Sequence, residues 1–369
     1  MWAHTGRLPH VLSTRCYHDP ALHEREVSEL FAGGWHPVAT RASLGHSGDF
    51  VTLDLLDEPV LVRNDGGTIR AFQNVCAHRH SMLTCETRGH APRLRCQVHG
   101  WEYDEEGRSL RIPDAKSFAP LTKHEFCLRR YRAETLGELV FVSLSPTGAS
   151  LRESLGEEAA AFIERACSRD HALVDVWSHD HAANWKVPVE NALESYHVPQ
   201  VHARPGRTHS KAVDATHVLG DRHTLLVNVT PPAGTLLKNL AALWRAKPEH
   251  RYEHLHAFPN LIVATTDLST LVHVVLPLGP TRSRSVAFCF AHAGEGRNLL
   301  HRAVGPILGE VVKRYTWKIL DEDYRVLPAI QRGLEASTHE GVIGAREERV
   351  HAFQQYVARV HDASVRALP

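Results

Sequence analysis

The chain has no charge excess: 42 Lys and Arg balance 42 Asp and Glu, and the pI is near 7.4. Nucleic acid and anionic membrane surfaces are therefore not expected partners. There is no apolar run long enough to span a bilayer, and the first 20 residues have no apolar stretch of the kind a signal peptide needs. Neither secretion nor membrane insertion is expected. Internal repeats and low-complexity stretches are absent too. So is a disulfide framework, because the seven cysteines are odd in number and show no paired spacing. That usage fits a reducing cytoplasm. Cys16, Cys85, Cys127, Cys167 and Cys289 read as small buried hydrophobes. A redox role is weighed for Cys85, which falls inside the motif described next.

What the chain does have is histidine, 28 of them in 369 residues. Most read as loop or core imidazoles; those with a spaced partner carry more. Between Asn74 and Asp104 stand Cys76-x-His78 and, after a spacer, Cys96-x-x-His99. Two thiolates and two imidazoles make a four-point metal cage, and zinc is the usual occupant of such cages. A zinc finger, however, groups its cysteines in one pair and its histidines in the other. Here each pair holds one of each, which suits a binuclear iron–sulfur cluster with both cysteines on one iron and both histidines on the other. Zinc remains the rival.

The length suggests two or three domains. Asp19-Pro20 starts a helix over 21–31, with Leu22, Val27, Leu30 and Phe31 at helical spacing. From Trp35 the period changes to two, and short strands separated by glycine turns predict a small antiparallel β domain over about 35–145. Asn64-Asp65-Gly66-Gly67 is its strongest hairpin signal. The two ligand pairs would sit on hairpin loops facing each other. Beyond it, a helix is predicted over 151–166, strands near 224–229, 261–265, 271–278 and 285–291, and helices over about 298–332 and 346–361. A sheet with helices on one face is the economical arrangement.

The second constellation spans Asn184 to His202. Pro188 suits a first helical turn, and in the helix that would follow, Glu194 and His197 share a face. Pro199 disfavours continuation, so His202 is expected from a kinked exit that swings it toward His197. Two imidazoles and one carboxylate form the facial triad of non-haem Fe(II) sites. Taken alone, the two histidines read as independent core or surface residues. The acidic run Asp321-Glu322-Asp323 is the best source of the carboxylate. Asp323 falls beside an apolar helix face marked by Tyr324, Leu327, Ile330 and Leu334, while a solvated charge run is the plain alternative.

Together these residues resemble the Rieske non-haem iron oxygenases, the terminal oxygenase (α) components of ring-hydroxylating and related oxygenases. The motifs that carry the resemblance are Cys76-x-His78, Cys96-x-x-His99-Gly-Trp, Asn184-Trp-Lys and Glu-Asn-x-x-Glu-Ser-Tyr-His197-x4-His202. It runs from about Leu22 to the C-terminus. The resemblance implies an α+β fold: a small antiparallel β Rieske [2Fe–2S] domain, then a helix-grip (START-like) catalytic domain with an antiparallel sheet and C-terminal helices. The corresponding segments are 1–34 (helical, packing on the catalytic domain), 35–146 and 147–369. It also implies that Cys76, His78, Cys96 and His99 hold the cluster, and that His197, His202 and Asp323 hold a mononuclear Fe(II). Glu194 would bridge the two centres, reaching a cluster histidine (His99) of a neighbouring subunit, and Asn191 would lie close to the iron. Electrons would come from NAD(P)H through a reductase, a ferredoxin or both. O2 and a small organic substrate would be consumed, by hydroxylation or oxidative demethylation, in a head-to-tail homotrimer. Length and the Glu-Ser-Tyr-His-Val-Pro form look closer to the α-only branch, which includes choline and carnitine monooxygenase-like members.

Three positions depart from the family pattern. His80 stands where a small, glycine-like residue is usual, Gln97-Val98 precedes His99, and Pro328 falls inside the expected triad helix, leaving Asp321 and Glu322 as competitors of Asp323. The pocket wall expected over Ala203 to Leu278 shows no acidic-aromatic cage for a quaternary ammonium group. The competing reading is an electron-transfer or zinc-binding protein without mononuclear iron.

Overall fold

A computed structural model describes residues 3–120, 125–168, 170–202, 215–228, 249, 251–292 and 299–365. Two compact units emerge: Ala32–Ser154, and a discontinuous one made of Met1–Phe31 with Leu155–Pro369. Among the described residues no helix is long and apolar enough to cross a membrane.

In the first unit, seven strands form one antiparallel sheet. In spatial order they are His36–Thr40, Leu139–Ser143, Arg130–Leu136, Thr68–Gln73, Glu58–Asp65, Asp49–Leu55 and Arg88–His90. The Asp65–Thr68 pairing closes on Gly66 and Gly67, at φ 60° and 93°, the left-handed pair a tight hairpin requires. The Leu55–Glu58 turn uses the same backbone at Leu56 and Asp57, φ 53° and 66°, where no glycine advertises it. A three-stranded sheet of Leu94–Arg95, Glu102–Tyr103 and Ser109–Arg111 completes the unit. Its core joins Phe50, Leu61, Phe72, Leu83, Trp101 and Leu128 to Cys76 and Cys96. Both thiols are thereby anchored to packed hydrophobes. Cys85 and Cys127 are exposed, contrary to their reading as buried hydrophobes; Cys16, Cys167 and Cys289 are buried.

The second unit is built on a seven-stranded antiparallel sheet. Its order is His171–His181, Arg282–His292, Ser269–Gly279, Leu261–Thr265, Tyr252–Ala257, His223–Asn228 and Ala215–Leu219. The long helix Leu299–Tyr324 stacks Trp317 on Trp177 at 4.9 Å between ring centroids. Helix Glu348–Val365 meets the same face, where Arg349 bonds Thr224 and His254. Helix Glu157–Ala166 lies on the other face, with Arg165 paired to Glu253 and Glu158 to His223. Helices therefore cover parts of both faces rather than one. The expected helix over 151–166 is two, Leu151–Leu155 and Glu157–Ala166, parted at Gly156 with φ 79°.

The N-terminal helix Pro20–Glu26 is capped by Asp19, whose carboxylate accepts from the N–H groups of Ala21 and Leu22. Its inward face carries His23 and Glu26 rather than only the apolar stripe. Glu26 is fully buried, and its oxygens accept from Lys186 Nζ at 2.8 and 2.7 Å and from Trp185 Nε1 at 2.7 Å, with His361 Nε2 at 2.9 Å. Asn184, next in line, donates its backbone N–H to Gln331 Oε1 and its side-chain amide to the Pro280 carbonyl. The Asn184-Trp185-Lys186 motif is thus a structural junction of four chain segments. A short strand, Leu8–Pro9, pairs with Val342–Ile343 and ties the early chain to the late chain again.

Candidate metal centres

In the first unit the Cys76 and Cys96 loops share one backbone design. The N–H of each cysteine bonds the carbonyl five residues on, Ser81 in one loop and Trp101 in the other. The N–H four residues on returns to the cysteine carbonyl, from His80 and from Gly100. That fourth position needs a left-handed backbone, and both residues have it, His80 at φ 59° and Gly100 at φ 69°. His80, a departure from the family pattern, therefore fills a glycine-type position at a local conformational cost of about 1 kcal/mol. It is exposed and does not crowd the loop.

Each thiol lies within hydrogen-bonding reach of the other. Burial and the neighbouring Cys96 raise the Cys76 pKa against the opposing pull of Tyr103. For Cys96 burial also acts upward, but the Ser81 hydroxyl and the N–H groups of Val98 and His99 outweigh it. Tyr103 Oη lies 3.0 Å from Cys76 Sγ and accepts the Ala77 N–H, which leaves its own proton for the sulfur. Burial and that thiol hold the phenol in its protonated form. The rings of His78 and His99 meet edge-on at 4.6 Å, and Trp101 stacks on His78 at 4.9 Å. Nδ1 of His78 is buried with no hydrogen-bond partner. Burial and the charges of His99 and Arg79 keep that imidazole toward its neutral, metal-binding form. An orphaned imidazole nitrogen beside two opposed thiols fits a cluster held by two cysteines and two histidines.

Because hydrogen bonds to cluster sulfurs favour the more negative, reduced state, Tyr103→Phe should lower the reduction potential. A loss of ~1 kcal/mol in differential bonding corresponds to roughly 40 mV for one electron. A redox titration followed in the visible spectrum checks this; an unchanged or raised potential rejects the role.

In the second unit helix Lys186–Leu193 ends one residue before Glu194, which is extended at φ −125° and ψ 166°. Glu194 and His197 therefore do not share a helical face, as the i,i+3 spacing had predicted. Glu194 instead closes a turn: one oxygen accepts the N–H groups of Tyr196 and His197, and the other binds His197 Nδ1 at 2.5 Å. His197 and His202 then sit at the two ends of the one-turn helix Val198–Val201. Pro199 is in its first turn, where a missing N–H costs nothing. Asn191 is half-buried on helix Lys186–Leu193.

Asp323 comes from the last turn of helix Leu299–Tyr324. The chain breaks at Arg325–Val326 before the new helix Leu327–Ala336, whose first turn takes Pro328. Pro328 therefore starts a helix rather than kinking the one that carries Asp323. Oδ1 of Asp323 lies 3.3 Å from His197 Nε2 and 3.2 Å from His202 Nε2, yet it is buried and makes no well-formed hydrogen bond. All three donor atoms fall within 4.8 Å of one another. Glu322 takes the other nitrogen of His202, Nδ1, at 2.9 Å, as Glu194 does for His197. With both Nδ1 positions engaged by carboxylates, both Nε2 atoms face the third carboxylate. Burial opposes charge on His197, but Asp323 and Glu194 outweigh it and raise its pKa to about 9. Burial likewise pushes Asp323 up, while the two imidazoles hold it down at about 2. The set is one a divalent iron fits: an orphaned carboxylate oxygen between two oriented imidazoles.

A thiolate–imidazole pocket in one unit and a two-histidine, one-carboxylate site in the other define a class of oxidoreductase, the oxygenases that join an iron–sulfur centre to a mononuclear iron. The chain belongs to the ring hydroxylating alpha subunit family, whose catalytic-domain model matches residues 169–363, with a Rieske [2Fe-2S] domain matched over 34–131. It is 25% identical to the anthranilate 1,2-dioxygenase large subunit of Burkholderia cepacia, over 79% of this chain and 75% of that one. It is also 25% identical to the carnitine monooxygenase oxygenase subunit of Escherichia coli K12, over 90% and 86%. The fold resembles a solved quaternary ammonium Rieske monooxygenase, CntA, with a TM-score of 0.78 and 21% identity over 97% of this chain and 96% of that one. It also resembles naphthalene 1,2-dioxygenase, with a TM-score of 0.75 and 19% identity over 96% and 95%. The protein is thus a Rieske oxygenase that carries a [2Fe–2S] cluster and a mononuclear iron, uses O2, and hydroxylates or demethylates a small organic substrate.

The sequence reading missed Glu322 as a hydrogen-bond partner of His202, and it missed Glu26 and Arg349 entirely. Part of the expected pocket wall, residues 203–214 and 229–248, lies outside the described residues.

Proposed function

We propose that Cys76, His78, Cys96 and His99 hold the cluster, and that His197, His202 and Asp323 hold the iron. The 35–146 segment would be the electron inlet, and 147–369, with the 1–34 segment packed on it, the catalytic domain. When bound, the two groups supply electron storage and O2 activation. The chain's own residues do the rest. Glu194 and Glu322 fix the tautomers of His197 and His202 by accepting from Nδ1. A carboxylate offers about four lone-pair sites. Glu194 uses three of them on His197 Nδ1 and two backbone N–H groups. One site is left for a histidine of a neighbouring subunit's cluster, the bridging role. Asn191 would stand near the iron and orient what binds there. The observation that carries this reading is the partnerless Oδ1 of Asp323 between two Nε2 atoms.

The purified protein should be red-brown, with thiolate-to-iron bands that bleach on dithionite and iron in excess of the cluster. A colourless protein with stoichiometric zinc would instead establish the zinc-binding alternative. We further infer a cytoplasmic homotrimer fed from NAD(P)H by a reductase, a ferredoxin or both, for which light scattering gives the subunit count.

Iron binding should depend on pH with a definite sign. With its pKa near 9 in the metal-free site, His197 is protonated at neutral pH, and the ion must displace that proton. Affinity for Fe(II) should therefore weaken as pH falls below about 9, roughly tenfold per unit for each proton displaced. Anaerobic calorimetry in two buffers of different protonation enthalpy measures the protons released; none released at pH 7 rejects the account.

A further inference from the structure

The catalytic unit buries a cation for which the described residues supply no anion. Arg349, at the start of helix Glu348–Val365, is 1% exposed. Its Nε donates to Thr224 Oγ1, one Nη to His254 Nδ1 and the other to the His254 carbonyl, each at 3.0 Å. All three acceptors are neutral, since burial and then the guanidinium itself hold His254 far below the usual imidazole range. The adjacent carboxylates are engaged elsewhere. Glu348 takes His217 Nδ1 and the backbone N–H groups of Ala3 and His4. Glu253 points to the other face of the sheet, where it pairs with Arg165 and Arg251. Among the described residues, no carboxylate is within ion-pair distance of Arg349.

A buried guanidinium without a counter-ion is strongly disfavoured, and burial already draws its pKa down to about 10. Of its five N–H donors three are used, so one on each Nη is left for a further acceptor. Among the described residues, the next imidazoles along this face add no charge. His256 lies opposite Thr224, and His273 is two strands further along the same rung. Burial holds these two imidazoles neutral, at about 3 and about 4. Tyr252, two residues before His254 and on the same side of its strand, feels the charges of both Arg349 and Asp323. The rung that Arg349 holds at Thr224 runs to His273, whose ring lies 6.3 Å from that of Tyr324, the residue after Asp323.

We propose that Arg349 receives the carboxylate of the substrate, and that this oxygenase acts on small organic acids. The assignment rests on the oxygenase reading above and narrows its substrate class. A guanidinium that merely pins the helix to two strands would show no preference among ligands, and the test turns on that difference.

The metal-loaded protein is titrated with benzoate, anthranilate and butyrate, with the amide of each, and with sodium chloride, at constant ionic strength, following the thermal midpoint. At least one acid should raise the midpoint and bind tenfold or more tightly than its amide, while chloride has no effect. Arg349→Gln should erase that preference and Arg349→Lys keep part of it, with the visible cluster bands unchanged in both. Should Arg349→Gln fail to fold, the acid-to-amide ratio of the unmodified protein and the Lys variant decide. Equal binding of acids and amides, an equal response to chloride, no binding by any acid, or an undiminished preference in Arg349→Gln each overturn the proposal. Failure of the oxygenase reading would look different, as missing dithionite-bleachable bands in the unmodified protein.

Discussion

Asp323→Ala should strip the iron from the catalytic unit and abolish turnover while the cluster bands stay unchanged. The acidic run around it offers three carboxylates, and the structure gives each a different task. Asp321 is 46% exposed and paired with Arg325 one turn on. Glu322 holds His202 through Nδ1. Asp323 alone reaches both Nε2 atoms. Losing a hydrogen-bond partner of a metal ligand costs about 10–100-fold in affinity, so Glu322→Ala should fall in that range. Losing the one anionic ligand should cost more, well beyond ~100-fold. Asp321→Ala should bind iron as the unmodified protein does. Iron per chain after dialysis, measured beside the visible spectrum, ranks the three variants. If Asp323→Ala keeps its iron, or Asp321→Ala loses it, the triad has been assigned to the wrong carboxylate.

The second large effect concerns stability. Lys186→Met should destabilise the catalytic unit by about 3–5 kcal/mol, the usual cost of breaking a buried ion pair from one side. Lys186 and Glu26 are both fully buried, and the ammonium offsets the burial that otherwise raises the Glu26 pKa. Without it the carboxylate keeps Trp185 Nε1 and His361 Nε2 but loses its nearest positive charge. Removing both charges in Glu26→Gln with Lys186→Met should recover part of the loss, because the buried carboxylate is gone. His361, whose pKa burial lowers but Cys16 and Glu26 raise to about 9, can then shed its proton. Urea unfolding followed by tryptophan fluorescence reads the difference, Trp185 being itself part of the network. A loss below ~1 kcal/mol for the single variant would mean that the pair is not sealed from water.

The grouping of the proposed ligands was legible because coordination chemistry constrains spacing in the chain itself. Cys76 and His78, or Cys96 and His99, must come from single tight loops, and His197 and His202 span one helical turn. The hairpin at Gly66-Gly67 was legible for a similar local reason, since two left-handed residues in a row advertise themselves. Glu26 and Arg349 were not legible, because a charged residue in a sequence looks solvated until its partners, hundreds of residues away, are known. The helix end at Leu193 was missed because periodicity ran on through Glu194. What stops the helix is the Glu194 carboxylate taking the N–H groups of Tyr196 and His197. Pro328 misled in the opposite direction: it was read as a fault within a helix and proves to open one.

The order of the chain bears on how the protein is made. The Ala32–Ser154 unit is complete as soon as its last residue leaves the ribosome, and domains of this size fold as they emerge. The other unit is split around it, with Leu8–Pro9 waiting for Val342–Ile343 and Glu26 waiting first for Lys186 and then for His361. For most of synthesis, then, the first 31 residues carry an acidic side chain meant for an interior that does not yet exist. Translation pauses beyond residue 154 should lengthen that exposed interval, and the early helix is where a chaperone or a protease would find its opening.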